Sequence, residues 1–174
     1  ATMYGVTKAA GELMAEYYHS THGVDIRGLR YPGLISWKVM PGGGTTDYAV
    51  EIFHKAVASE SYTCFVRKDT ILPMMYMDDA IKATERIMQA DLESLGDSRT
   101  GYNVKGISFT AGELADKIAK RIPGFTCDFI PDFRQKVAES WPNDVDDQPA
   151  RDDWGWKAEY DLGRMVDEMI SNIT

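Results

Sequence analysis

The run Ala9-Ala10-Gly11-Glu12-Leu13-Met14-Ala15-Glu16-Tyr17-Tyr18, closed by His22-Gly23 and followed by Val24-Asp25-Ile26-Arg27-Gly28-Leu29-Arg30-Tyr31-Pro32-Gly33, decides the fold. Its first part places Ala9, Ala10, Leu13, Met14, Tyr17 and Tyr18 at helical spacing with Glu12 and Glu16 between them, which predicts an amphipathic helix over residues 5–21. Gly23 supplies the stop, because glycine tolerates the left-handed turn that ends a helix. Residues 24–31 then read as a strand that Pro32-Gly33 terminates. A helix delivering the chain into a short strand is the second half of a βαβ unit.

Outward from this pair the alternation continues. The spacing predicts a loop at 41–47, a helix over 48–58, strands over 62–66 and 71–77, and a helix over 80–89 capped by Asp78. A small strand follows at 102–104. Thr110 and Glu113 have the spacing of a capping box, whose helix runs to about 121 before Pro123. A strand is expected at 126–130, a polar, turn-rich stretch over 131–153, and a final helix capped by Asp161. Alternating strands and helices place the chain in the α/β class.

Composition bounds the function. The 174 residues carry 19 basic and 27 acidic side chains, a net charge of −8, with no basic run. That balance disfavours nucleic acid and anionic membrane as partners. Cys64 and Cys127 are too few for a disulfide scaffold and lack zinc spacing; buried thiols in a reducing compartment fit better. The histidines His19, His22 and His54 have no metal spacing, and Asp144, Asp146 and Asp147 read as a solvated acidic turn, so no metal site is expected. Met74, Met75 and Met77 read as core filler, and Trp154 and Trp156 as packing residues. The chain opens Ala1-Thr2-Met3-Tyr4 without an initiator methionine at position 1, and its helical pattern begins almost at once. A fragment, a cleaved chain or half of a split protein is therefore expected.

Chemistry concentrates at Tyr4 and Lys8. Four residues apart on a helix, they share a face. An ammonium beside a phenol favours the phenolate. A phenol so tuned can take the proton of a substrate hydroxyl while the carbinol carbon gives hydride to a nicotinamide. Tyr-x-x-x-Lys by itself is common and also arises by chance. The glycine-rich loop Gly42-Gly43-Gly44 lacks the spacing of a dinucleotide fingerprint. It precedes a helix whose first turn is a favourable place for a carboxylate. From the pattern alone, Thr45 is either a ligand contact or a helix cap.

The wording Tyr4-Gly5-Val6-Thr7-Lys8-Ala9-Ala10-Gly11-Glu12 resembles the active-site helix of the extended short-chain dehydrogenase/reductase family. The likeness continues through Gly28 to Trp37, Pro41 to Tyr48, Leu72 to Met77, Pro131 to Gln135, Ser140-Trp141-Pro142 and Ala150 to Trp156. Within the family these segments are similar to the branch that oxidises the β-hydroxyl of L-threonine to 2-amino-3-oxobutanoate with NAD. The resemblance implies the C-terminal half of an extended Rossmann-type fold, with a partial parallel sheet and a small α/β substrate-binding lobe. Residues 1–40 would complete the NAD-binding domain and carry the catalytic helix. Residues 41–174 would form mainly the substrate lobe, with some segments returning to the Rossmann sheet. It further implies Tyr4 as general base, Lys8 holding the cofactor ribose and tuning Tyr4, and Leu34 against the nicotinamide through its backbone. Thr45 and Trp141 would contact the substrate.

The partners implied are L-threonine, a missing N-terminal NAD-binding half and a second copy in a homodimer. The setting implied is bacterial cytoplasm or mitochondrial matrix. Because the N-terminal half is missing, the first helix is expected to be poorly buried in this chain. Two other functions stay open. One is a nucleotide-sugar epimerase or dehydratase of the same superfamily, disfavoured by the acidic region after Pro41. The other is a non-catalytic half-domain that only associates with a partner.

Overall fold

A computed structural model describes residues 2–173, and it divides them into two compact units. One comprises the residues up to Tyr31 with Ile81–Val104 and Asp146–Lys157; the other comprises Pro32–Ala80, Lys105–Val145 and the residues from Ala158 onward.

The first unit begins with helix α1 (Met3–His22). Thr2 caps it by accepting from Gly5 N at 3.1 Å, and Gly23 ends it in the left-handed region at φ 66°. As expected, none of its residues is buried: Leu13 is 72 % and Met14 59 % exposed. Strand β1 covers only Leu29–Arg30, and its parallel partner in this unit is β5 (Tyr102–Asn103). The approach is close because Gly28 has no side chain: a Cβ there would lie 2.1 Å from the Thr100 carbonyl oxygen. Arg27 donates to the carbonyls of Ile87, Met88 and Ala90 at 2.5, 3.1 and 2.8 Å, closing the end of α3 (Met77–Gln89) with a cation at the negative pole of its dipole. A turn of 3₁₀ helix follows at Leu92–Ser94, and α6 (Gln148–Trp154) completes the unit. Its core holds Ile87, Tyr102, Val104, Ala150 and Trp156. Tyr102 donates its hydroxyl to Asp153, and burial pushes its phenol up to about 12.

The second unit is built on β2 (Gly33–Ile35), β4 (Ile71–Tyr76) and β6 (Ile107–Thr110), in that spatial order. Strands β2 and β4 run parallel with Leu34 opposite Met75, while β4 and β6 are antiparallel with Leu72 opposite Phe109. A second pair, β3 (Tyr62–Cys64) and β7 (Cys127–Phe129), is parallel. Helices α2 (Tyr48–Val57), α4 (Ala111–Ala119) and α7 (Leu162–Ile173) bury Tyr48, Ile52, Phe53, Leu114, Ile118, Met165 and Met169 in one core with these strands. Met74 is fully buried in this core and Met75 is fully buried as well, as core filler should be, while Met77 is half-buried.

Three expectations change. The strand expected over 24–31 shrinks to β1, and a separate strand, β2, begins just past Pro32, because proline removes one ladder donor but leaves Gly33 free to pair with Met74. Strand β6, for which the spacing gives no signal, forms by antiparallel pairing with β4. Asp78 and Asp79 lie inside the first turn of α3, and Asp79 turns instead to accept from Glu159 N (3.1 Å) and Tyr160 N (3.1 Å). The capping box is present in full: Thr110 accepts from Glu113 N at 3.0 Å, and Glu113 accepts from Thr110 N at 2.7 Å. Among the described residues no helix is long and apolar enough to cross a membrane.

Candidate active site

Tyr4 and Lys8 lie one turn apart on α1, where the helix period puts them on one face. The Lys8 ammonium stands over the Tyr4 ring, 5.3 Å from its centroid, a cation–π contact. Both side chains are exposed. Thr7 sits between them and donates its hydroxyl to the Tyr4 carbonyl at 2.8 Å, closing on its own turn rather than competing for either group. Among the described residues no carboxylate pairs with Lys8, so its donors are free for hydroxyl acceptors. That donor set suits the ribose of a nicotinamide nucleotide. The Gly-x-Gly-x-x-Gly turn that would hold a pyrophosphate does not occur in the sequence.

In the second unit, Leu34 occupies the middle of β2 and is 37 % exposed. The preceding glycine decides what lies beside it. A Cβ on Gly33 would come within 2.5 Å of Met74 Sδ and 2.7 Å of Thr46 Cγ2, so the missing side chain lets β2 pack against the turn that carries Thr45 and Thr46. Thr45 is half-buried in that turn.

The glycine-rich loop is organised differently from the sequence expectation. The N–H groups of Gly42, Gly43 and Gly44 all donate to one oxygen of Asp47, at 2.8, 2.7 and 2.8 Å. The anion that this concave backbone favours is supplied from within, by a residue three positions beyond the last glycine. Ala49 N and Val50 N donate to the carbonyls of Thr46 and Asp47, so the first turn of α2 is largely satisfied as well. Asp47 therefore shapes the turn beneath Thr45, a role visible in the sequence only as an aspartate following three glycines.

Trp141 follows α5 (Arg134–Ala138) and is 40 % exposed. Its helix is anchored by Gln135, which is buried and accepts from Arg67 N (2.8 Å) and Thr70 Oγ1 (3.0 Å) through one amide oxygen. Gln135 donates in turn to Glu139 at 3.1 Å. Arg134 Cζ stands over the Phe65 ring, 3.2 Å from its centroid, and the guanidinium pairs with Asp132, which holds that carboxyl below the usual carboxylate range. Gln135 was not among the sequence candidates, because a glutamine in a polar stretch carries no signal until its burial is known.

The helix–strand order and the parallel pairs define a Rossmann-like α/β architecture. Residues 1–104 match the model of the NAD dependent epimerase/dehydratase family, and the chain belongs to that family. Among curated relatives it is 49 % identical over 171 residues to the mitochondrial L-threonine 3-dehydrogenase of Bos taurus, covering 98 % of this chain and 45 % of that protein. It is 48 % identical to an uncharacterized epimerase/dehydratase of Staphylococcus haemolyticus, covering 99 % of this chain and 54 % of that one. Among solved structures, the apo form of a GalE-like L-threonine dehydrogenase from Cupriavidus necator superposes with a TM-score of 0.96 at 53 % identity, over 100 % of this chain and 62 % of that one. The chain thus spans about half the length of the curated relatives it matches.

Proposed function

We propose that this chain is the C-terminal half of an NAD-dependent L-threonine 3-dehydrogenase. Residues 1–40 complete the cofactor domain in this reading, and residues 41–174 form mainly the substrate lobe. The observation that carries it is the Tyr4–Lys8 pair, a phenol with an ammonium over its ring on an exposed helix face. The relatives named for that activity support it.

Tyr4 acts as the general base. Its Oη takes the proton of the threonine β-hydroxyl, and the carbinol carbon becomes the ketone of 2-amino-3-oxobutanoate. When bound, NAD supplies the hydride acceptor. Lys8 would hold the ribose hydroxyls with the N–H donors that no carboxylate occupies. Leu34 presents its strand backbone to the nicotinamide. Thr45 contacts the substrate amino acid from the turn that Asp47 braces, and Trp141 closes over it. The N-terminal half supplies the phosphate-binding turn, and two copies associate as a homodimer in bacterial cytoplasm or mitochondrial matrix.

The test joins this chain to its N-terminal half and follows absorbance of the reduced cofactor with L-threonine and NAD. Tyr4→Phe should lower kcat about 10²–10⁴-fold, the usual range for a lost general base. Undiminished activity in Tyr4→Phe would favour a purely associative role for the helix. Turnover of a nucleotide sugar in place of threonine would favour the epimerase reading.

A further inference from the structure

Among the described residues helix α1 buries none of its own, so the polar contacts that tie it to its unit stand out. Only Glu12, Ala15 and His19 along it are even half-buried, and their spacing marks the face turned inward. Of these, Glu12 reaches the strand. Its two carboxylate oxygens take the Nε and Nη2 donors of Arg30 in β1, the Nε contact at 2.8 Å. The fork-on-fork geometry fixes both distance and plane, which a single point contact would not. Arg30 holds the Glu12 carboxyl below the usual carboxylate range.

The guanidinium has a seat of its own. A Cβ on Gly101 would stand 3.0 Å from Arg30 Nε, 3.1 Å from Nη2 and 3.2 Å from Cζ. Gly101 follows the segment that Gly28 lets approach β1, so the seat is fixed to the same strand pair. Tyr4, Lys8 and Glu12 stand at four-residue intervals on the helix, each displaced about 40° from the last at 3.6 residues per turn.

We propose that Glu12, Arg30 and Gly101 form a clamp that sets the rotation of α1 and so aims Tyr4 and Lys8; Glu12 and Arg30 are positioning residues for the reaction. This rests on the proposed role of Tyr4 and goes beyond it. The ion pair touches neither reacting atom. Its effect passes through the rigid helix on which the phenol and the ammonium are mounted.

The test uses two readouts on Glu12→Gln, Arg30→Lys and Gly101→Ala. The first is amide hydrogen exchange in the 174-residue chain, comparing α1 with α6 of the same unit. The second is kcat per folded molecule, and KM for threonine, in the whole enzyme with NAD. Each of the first two variants should exchange its α1 amides about tenfold faster while α6 keeps its protection. In the whole enzyme, kcat per folded molecule should fall about tenfold with KM within about twofold. Glu12→Asp, which keeps the charge, should recover part of kcat. Gly101→Ala, which crowds only the end of a flexible arginine, should give a smaller change in the same direction.

A role confined to stability would instead raise exchange in both helices and leave kcat per folded molecule unchanged, and that result overturns the proposal. So does unchanged α1 exchange in Glu12→Gln, an isosteric change at a half-exposed site that leaves the fold intact. Absence of turnover in the unaltered enzyme would overturn the functional reading, while the exchange data would still decide whether the clamp exists.

Discussion

Replacing Asp47 by alanine removes the one oxygen on which the N–H groups of Gly42, Gly43 and Gly44 converge. A hydrogen bond to a charged acceptor contributes about 1.5–3 kcal/mol where water is excluded. These glycines are exposed, so water can take over each donor, and about 0.5–1 kcal/mol per bond is a fairer figure. Three bonds then hold the turn closed by about 2 kcal/mol. Opening by that amount should speed exchange of the Gly42–Gly44 amides about 30-fold in Asp47→Ala. Asp47→Asn keeps an acceptor without the charge and should show roughly half the free-energy change. Denaturant unfolding should place the Asp47→Ala midpoint lower at an unchanged slope. Because Thr45 rides on this turn, KM for threonine should rise in the whole enzyme while kcat changes less. If the Gly43 amide exchanges within about twofold of the unaltered chain, the three contacts do not close the loop and the reasoning fails.

Gly106→Ala should be among the most damaging single-methyl changes, because the added Cβ would meet Met74 O at 2.3 Å and Met75 Cα at 2.9 Å, both backbone atoms that cannot rotate away. A loss of about 3 kcal/mol or more in chemical denaturation is expected, and a loss under about 1 kcal/mol would contradict it. Gln135→Leu leaves the buried Thr70 hydroxyl and the part-buried Arg67 N–H without their acceptor, which should cost about 2 kcal/mol; an unchanged midpoint would show that neither donor depends on it. Burial pushes the thiols of Cys64 and Cys127 up to about 11 and about 12, so alkylation at pH 8 should run about two orders of magnitude slower in the native chain than in the unfolded one. Each thiol has a folded value above its unfolded 9.0, so the stability it contributes is complete below that pH and is lost as pH climbs toward 11 to 12. A denaturation midpoint that stays flat through that window would contradict the linkage.

What could be read along the chain was what local chemistry fixes. Helix α1 and its Gly23 stop, the Thr110–Glu113 capping box and the Asp161 start of α7, where Arg164 N donates to Asp161 at 2.8 Å, follow from residues within one turn of each other. The shared face of Tyr4 and Lys8 is of the same kind, because four residues on a helix fix it wherever the helix lies. The tertiary structure decided the rest. Pro32 does end β1, yet a second strand starts at Gly33 because β4 offers it a parallel edge. Ile107-Ser108-Phe109-Thr110 became a strand only because β4 offered its antiparallel edge. Asp47 filled the glycine loop that seemed open to an outside anion, and Glu12 found Arg30 across 18 residues of sequence. Periodicity and capping report short-range preferences of the backbone. Which polar group satisfies which, and which apolar face finds a partner, depends on neighbours that only folding brings within reach.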